Sequence, residues 1–155
     1  MLDSGKFVSK TTVITNDAGL AINVRTETNE AGTEWDNSFY EYNDGELMRS
    51  TNTSSTARAP YVTTYSWKDH NMVSTTADTT TTNFGYYTDK ARQSGDYFLL
   101  VQTIQGYEII RCKNLLKTVG SSTLAYEFGD GGKITSLSAT TGSNTSFLDF
   151  EYQCN

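Results

Sequence analysis

The sequence predicts an all-β fold: an antiparallel up-and-down meander of about ten strands, curled or closed into a barrel-like sheet, in a single domain spanning residues 1–155. Three observations carry this expectation. The composition is rich in Thr, with ten Tyr, seven Phe and one Pro, and β-branched and aromatic side chains suit a pleated, half-buried surface. Polar and apolar residues alternate with period two, as they do where one strand face meets a core and the other water. Clusters of Gly, Asn and Asp separate the alternating runs, so strands consecutive in sequence are joined by tight turns. At 155 residues the chain can bury about 68–70% of its unfolded surface without help from metals.

The individual elements follow from the same signals. "YVTTYSW" places Tyr61, Thr63, Tyr65 and Trp67 on one strand face, and Val62, Thr64 and Ser66 on the other. "TLAYEF" sets Leu124, Tyr126 and Phe128 inward. "SFLDFEYQC" does the same with Leu148, Phe150, Tyr152 and Cys154, against Asp149, Glu151 and Gln153. Turns are expected at Asn16–Gly19, Asn43–Gly45, Lys68–Asn71, Gly129–Gly132 and Thr141–Asn144. The middle is less regular. "YFLLV" is apolar at both parities, which fits a strand buried on two faces or a short helix. Gln105-Gly106 is read as a hairpin turn between "YFLLVQTI" and "YEIIRC", and "KNLLKTVG" as a short helical connection ending near Gly120. The stretches 51–60 and 75–83 read as polar loops, although the Thr run of the second suits strand or loop alike.

One hairpin recurs. "YEYNDGELMRS" from Tyr40, "YSWKDHNMVS" from Tyr65 and "YEFGDGGKITS" from Tyr126 each open Tyr-x-aromatic. Each carries an Asp two residues on (Asp44, Asp69, Asp130) and resumes with an apolar residue (Leu47, Met72, Ile134). "VITNDAGLAINV" is a looser fourth copy. The pattern resembles the hairpins of YD-repeat-like proteins. From Phe39 to Asn155 the order of parts resembles a group of uncharacterised secreted lipoproteins of Bacteroidetes-type gut bacteria, whose hairpins flank a piece like "YTDKA…GDYFLL…CKNLLKTV". The resemblance implies a porin-like or barrel-like meander in the cell envelope, periplasmic or at the cell surface, held by a lipid on an N-terminal cysteine. "MLDSGKFVSK" has no such cysteine and no apolar leader core, so anchor and leader are expected in a removed segment. The resemblance brings no activity, catalytic residue or ligand with it.

Charge and motif content narrow the chemistry. A formal net charge of −6 without a basic stripe argues against nucleic acid, whose phosphates demand one. The longest strictly apolar run, Phe98–Val101, is far short of the about 20 residues of a membrane helix. No Gly-x-Ser-x-Gly elbow or phosphate loop occurs, and no metal or cofactor is implied. His70, the only histidine, stands where the sister hairpins carry Gly45 and Gly131, so it is read as a turn residue rather than a base. Cys112 and Cys154 suit one disulfide in an exported protein, and a cross-link of this span adds about 4 kcal/mol in the chain-entropy treatment.

The expected role is therefore non-catalytic: an extracytoplasmic domain with a binding or structural task. Aromatics supply the functional lead. Trp35, Tyr61, Tyr65 and Trp67 are the candidate platform for a glycan or peptide. Two alternatives stand beside this: a lipocalin-like carrier of a small apolar ligand inside a closed barrel, and a carboxylate-dependent glycan hydrolase.

Overall fold

The structure, a computed structural model, describes residues 2–3 and 6–152. A short ladder pairs β1 (Leu2–Asp3) with β2 (Lys6–Phe7). Eleven further strands form one antiparallel sheet in sequence order: β3 (Lys10–Thr15), β4 (Ala21–Glu27), β5 (Trp35–Asn43), β6 (Glu46–Ser54), β7 (Tyr61–Lys68), β8 (Asn71–Ala77), β9 (Thr80–Ala91), β10 (Asn114–Val119), β11 (Ser122–Phe128), β12 (Ile134–Thr141) and β13 (Asn144–Asp149). Among the described residues one α-helix, α1 (Tyr97–Gln105), lies in the connection from β9 to β10, and a short 3-10 turn (Asp130–Gly132) joins β11 to β12. The sheet is an up-and-down meander, as expected, but it does not close: β3 and β13 stand at its two edges. The chain divides into two compact units. One comprises residues 1–65, 76–80 and 107–110, and the other residues 66–75, 81–106 and 111–155.

The recurring hairpin is real in burial, and its first two copies share one turn backbone, whereas the third turns through a 3-10 helix at Asp130–Gly132. Asp44 and Gly45 both have positive φ, at 49° and 81°, as a type I′ turn requires. Asp69 and His70 do the same at 51° and 61°. The apolar residue after each turn is almost fully buried: Leu47 in the first unit, Met72 and Ile134 in the second, and Leu20 in the looser copy. His70 is thus a turn residue, and its backbone carbonyl accepts from Lys113 N–H at 2.9 Å.

Several expectations are sharpened or corrected. Of the two readings open for "YFLLV", strand or short helix, the helix is the one formed: Asp96 caps it by accepting from Phe98 and Leu99 N–H. Gly106 is no hairpin turn. It ends the helix at φ 80° and donates back to Gln102 and Thr103 carbonyls, and "YEIIRC" forms no strand. "KNLLKTV" is not helical but the strand β10, paired with β9 and β11. Its neighbours Leu115 and Leu116 are both buried, one on each face, which erased the alternation. Of the two stretches read as loops, residues 51–54 end β6 while 55–60 are loop as expected, and the Thr-rich stretch is mostly strand, the β8–β9 hairpin turning at Asp78. The last strand stops at Asp149, and all of β13 is exposed, Phe147 at 71%, so Leu148 is an edge residue rather than core. Cys112 is buried and takes part in no disulfide among the described residues. Its expected partner Cys154 lies outside the described residues.

In the second unit, Leu116, Leu124 and Leu137 form the centre of the core, with Phe84, Tyr86, Tyr97, Phe98, Tyr126 and Phe150 packed around it. Helix α1 is fastened to this core by Asp96, which is 1% exposed. One carboxylate oxygen caps the helix and the other accepts from Leu116 N–H at 3.1 Å. Burial pushes its pKa up, opposed by those backbone donors. Cys112 and Tyr86 sit beside it, with the Tyr86 hydroxyl 2.7 Å from Met72 O and 3.2 Å from Cys112 Sγ. Burial raises the thiol pKa, which leaves Cys112 a poor nucleophile.

Candidate functional site

The four aromatic candidates separate into different environments. Trp35, at the start of β5, is half-buried under the Arg25 guanidinium, 4.7 Å from the ring centre. Arg25 is in turn held by Glu27 at 3.3 Å, so this ring is occupied by a cation of its own chain. Tyr65 is half-buried and its hydroxyl shares a 3.0 Å hydrogen bond with Ser50. Burial raises its pKa. Trp67 is half-buried in the second unit. Only Tyr61 keeps an open ring, 51% exposed.

Tyr61 lines a cleft of about 360 Å³ with Asp36, Asn37, Ser38, Asn52, Thr53, Ser54, Ala57 and Ala59, all in the first unit. Strand register explains why these residues meet. Ser38 stands opposite Asn52, and Asn52 opposite Tyr61, so three adjacent strands place one residue each in a single row on one face. The row continues inward to the buried Val24, which pairs with Ser38. The loop 55–60 then brings Ala57 and Ala59 to the rim.

Polar groups in this row are partly committed. Ser38 Oγ donates to Asn52 Oδ1 at 2.6 Å, which fixes the amide and leaves its NH₂ as a donor. Asn37 accepts from Asn23 Nδ2 at 3.0 Å. Asp36 takes part in no ion pair among the described residues. The cleft therefore offers a carboxylate acceptor, an oriented amide donor and an aromatic ring. Of these, Tyr61 was singled out from sequence. Asp36 and Asn52 were not, because only the register across β5, β6 and β7 assembles them.

The same face is covered further along. Alternation puts Tyr40 on the side of Ser38. Tyr40 interacts electrostatically with Tyr107, and burial is the main cause of its raised pKa. The segment 107–110 belongs to this unit. Glu108 O accepts from Ala21 N–H at 2.8 Å, and the Tyr42 hydroxyl donates to Ala21 O at 2.7 Å and Ile109 O at 3.3 Å. The cleft is the part of the face that this segment does not reach.

No protein-family model matches the chain, and comparison with curated proteins finds no match. Among the described residues no helix is long and apolar enough to cross a membrane, and no group of three His, Cys, Asp or Glu side chains is placed to hold a metal ion.

Proposed function

We propose that this chain is a non-catalytic binding domain of an extracytoplasmic, cell-envelope lipoprotein, and that the Tyr61 cleft takes a neutral glycan. The carrying observation is the open Tyr61 ring beside Asp36 and the oriented Asn52 amide. An aromatic face packs on the C–H face of a sugar ring, while carboxylate and amide groups take its hydroxyls. The envelope location rests on the hairpin resemblance and on the acidic composition.

Binding is favoured over hydrolysis because Asp36 is the one carboxylate among the residues that line the cleft, whereas glycosidases use a pair. The carrier reading drew on a closed barrel, and the strand order is linear. A glycan array probed with the full chain tests the proposal, with a lipid-binding screen alongside. The expected result is signal on neutral glycans that Tyr61→Ala abolishes. Lipid binding without glycan binding would favour the carrier instead.

A further inference from the structure

We propose that a second cleft, in the second unit, binds an acidic sugar of the hexuronic-acid class, its carboxylate between Lys68 and Lys113 and its ring against Phe84 and Val73. This cleft is about 530 Å³ and is lined by Lys68, Asp69, Asn71, Val73, Phe84, Gly85, Tyr86, Thr88, Lys113 and Asn114. It does not rest on the Tyr61 cleft, which has no cationic lining.

The cations are the first argument. Among the described residues, Lys10, Arg25 and Arg49 lie within ion-pair distance of carboxylates. Lys90, Lys117 and Lys133 lie over aromatic rings. Lys68 and Lys113 do neither, and both line this one cleft of a chain whose net charge is −6. In so acidic a chain, two lysines on one cleft without a carboxylate partner are available to an external anion.

Backbone construction is the second argument. Lys113 is far from Lys68 in sequence but is pinned to the same hairpin. Its N–H donates to His70 O at 2.9 Å, and the next residue, Asn114, exchanges two 3.0 Å hydrogen bonds with Asn71. Asn114 Nδ2 also reaches Thr88 O and Lys90 O. The two asparagines and the Tyr86 hydroxyl are thereby used up within the protein. What remains for a ligand is two ammonium groups, the Asp69 carboxylate, the Thr88 hydroxyl and the apolar surface of Phe84 and Val73.

That set has a specific complement. Two cations alone would suit any anion, but Asp69 repels a simple one. A ligand that satisfies all of them carries a carboxylate for the lysines, hydroxyls for Asp69 and Thr88, and a ring for Phe84. A hexuronic acid has each of these parts.

The test is an amide chemical-shift titration of the ¹⁵N-labelled full chain with glucuronate, glucose and acetate. Saturable shifts at Lys68, Asp69, Gly85, Thr88 and Lys113 with glucuronate are expected, with glucose and acetate each about ten-fold weaker. Lys68→Gln and Lys113→Gln should each weaken glucuronate about ten-fold while the remaining spectrum stays native. Asp69→Asn, tolerated at a positive φ, should narrow the preference for glucuronate over acetate. Absence of saturable glucuronate shifts would overturn the proposal. So would acetate binding as well as glucuronate, which would mean charge attraction alone. Shifts confined to Asn52 and Tyr61 would place the sugar in the other cleft and also overturn it.

Discussion

Tyr65 and Tyr61 lie four residues apart on one strand, with side chains on the same face, and their environments differ. The Tyr65 hydroxyl is hydrogen-bonded to Ser50 and its ring is half-buried. The Tyr61 ring is open over a polar cleft. On the same face, Tyr40 and Tyr42 are engaged by the segment 107–110. Residue type and face are alike, so what differs is cover. In the first unit this face is engaged at Tyr40 and Tyr42, where the segment 107–110 reaches it, and stays open at Tyr61.

The largest expected effect is at alkaline pH. Burial raises the pKa of Tyr40, Tyr65, Tyr86, Tyr126 and Cys112. The tyrosines' contribution to stability is complete below their ordinary value of about 10, and that of Cys112 below the ordinary thiol value of about 8.5; each is lost as pH rises above it, because the unfolded chain ionises first. The last part of the rise in tyrosinate absorbance should therefore coincide with global unfolding when circular dichroism is followed in parallel. Complete tyrosinate absorbance in a chain whose dichroism is still native would mean that these rings are not covered.

Asp96→Ala comes next. It removes a helix cap and leaves Leu116 N–H without its acceptor, and should cost about 2–4 kcal/mol in urea denaturation. Tyr42→Phe loses the hydroxyl bonds to Ala21 and Ile109 and should cost about 1–2 kcal/mol by the same assay. Hydrogen exchange should then quicken at Ala21, whose N–H donates to Glu108. His70→Gly is the smallest change. It relieves a positive φ of 61° and should be neutral or stabilising by up to about 1 kcal/mol. A drop in glycan binding in that variant would show that the histidine is more than a turn residue.

The hairpins were legible because their signal is local. Tyr65-x-Trp67, Asp69 and Met72 encode alternation, turn and core return within ten residues. Helix α1 was ambiguous by periodicity, since "YFLLV" is apolar at every position, although Gly95-Asp96 before it and Gly106 after it are the cap residues that decide. The strand β10 was misread for a related reason: Leu115 and Leu116 are buried on opposite faces, so no alternation remains. The Tyr61 cleft was half legible. An aromatic lead pointed to Tyr61, but Asp36 and Asn52 reach it only through a register fixed by two strand pairings. Lys68 and Lys113 come together through hydrogen bonds between residues 43 positions apart, which no local pattern records.

The comparison of the two tyrosines is tested most directly by Tyr61→Ala and Tyr65→Ala, each measured for urea stability and for binding to neutral glycans. Tyr61→Ala should lose glycan signal while its stability stays within about 0.5 kcal/mol of the parent. Tyr65→Ala should be destabilised by about 2–4 kcal/mol, with glycan binding retained where the protein is folded. A Tyr61→Ala protein that binds as well as the parent, or that is destabilised as much as Tyr65→Ala, would contradict the account.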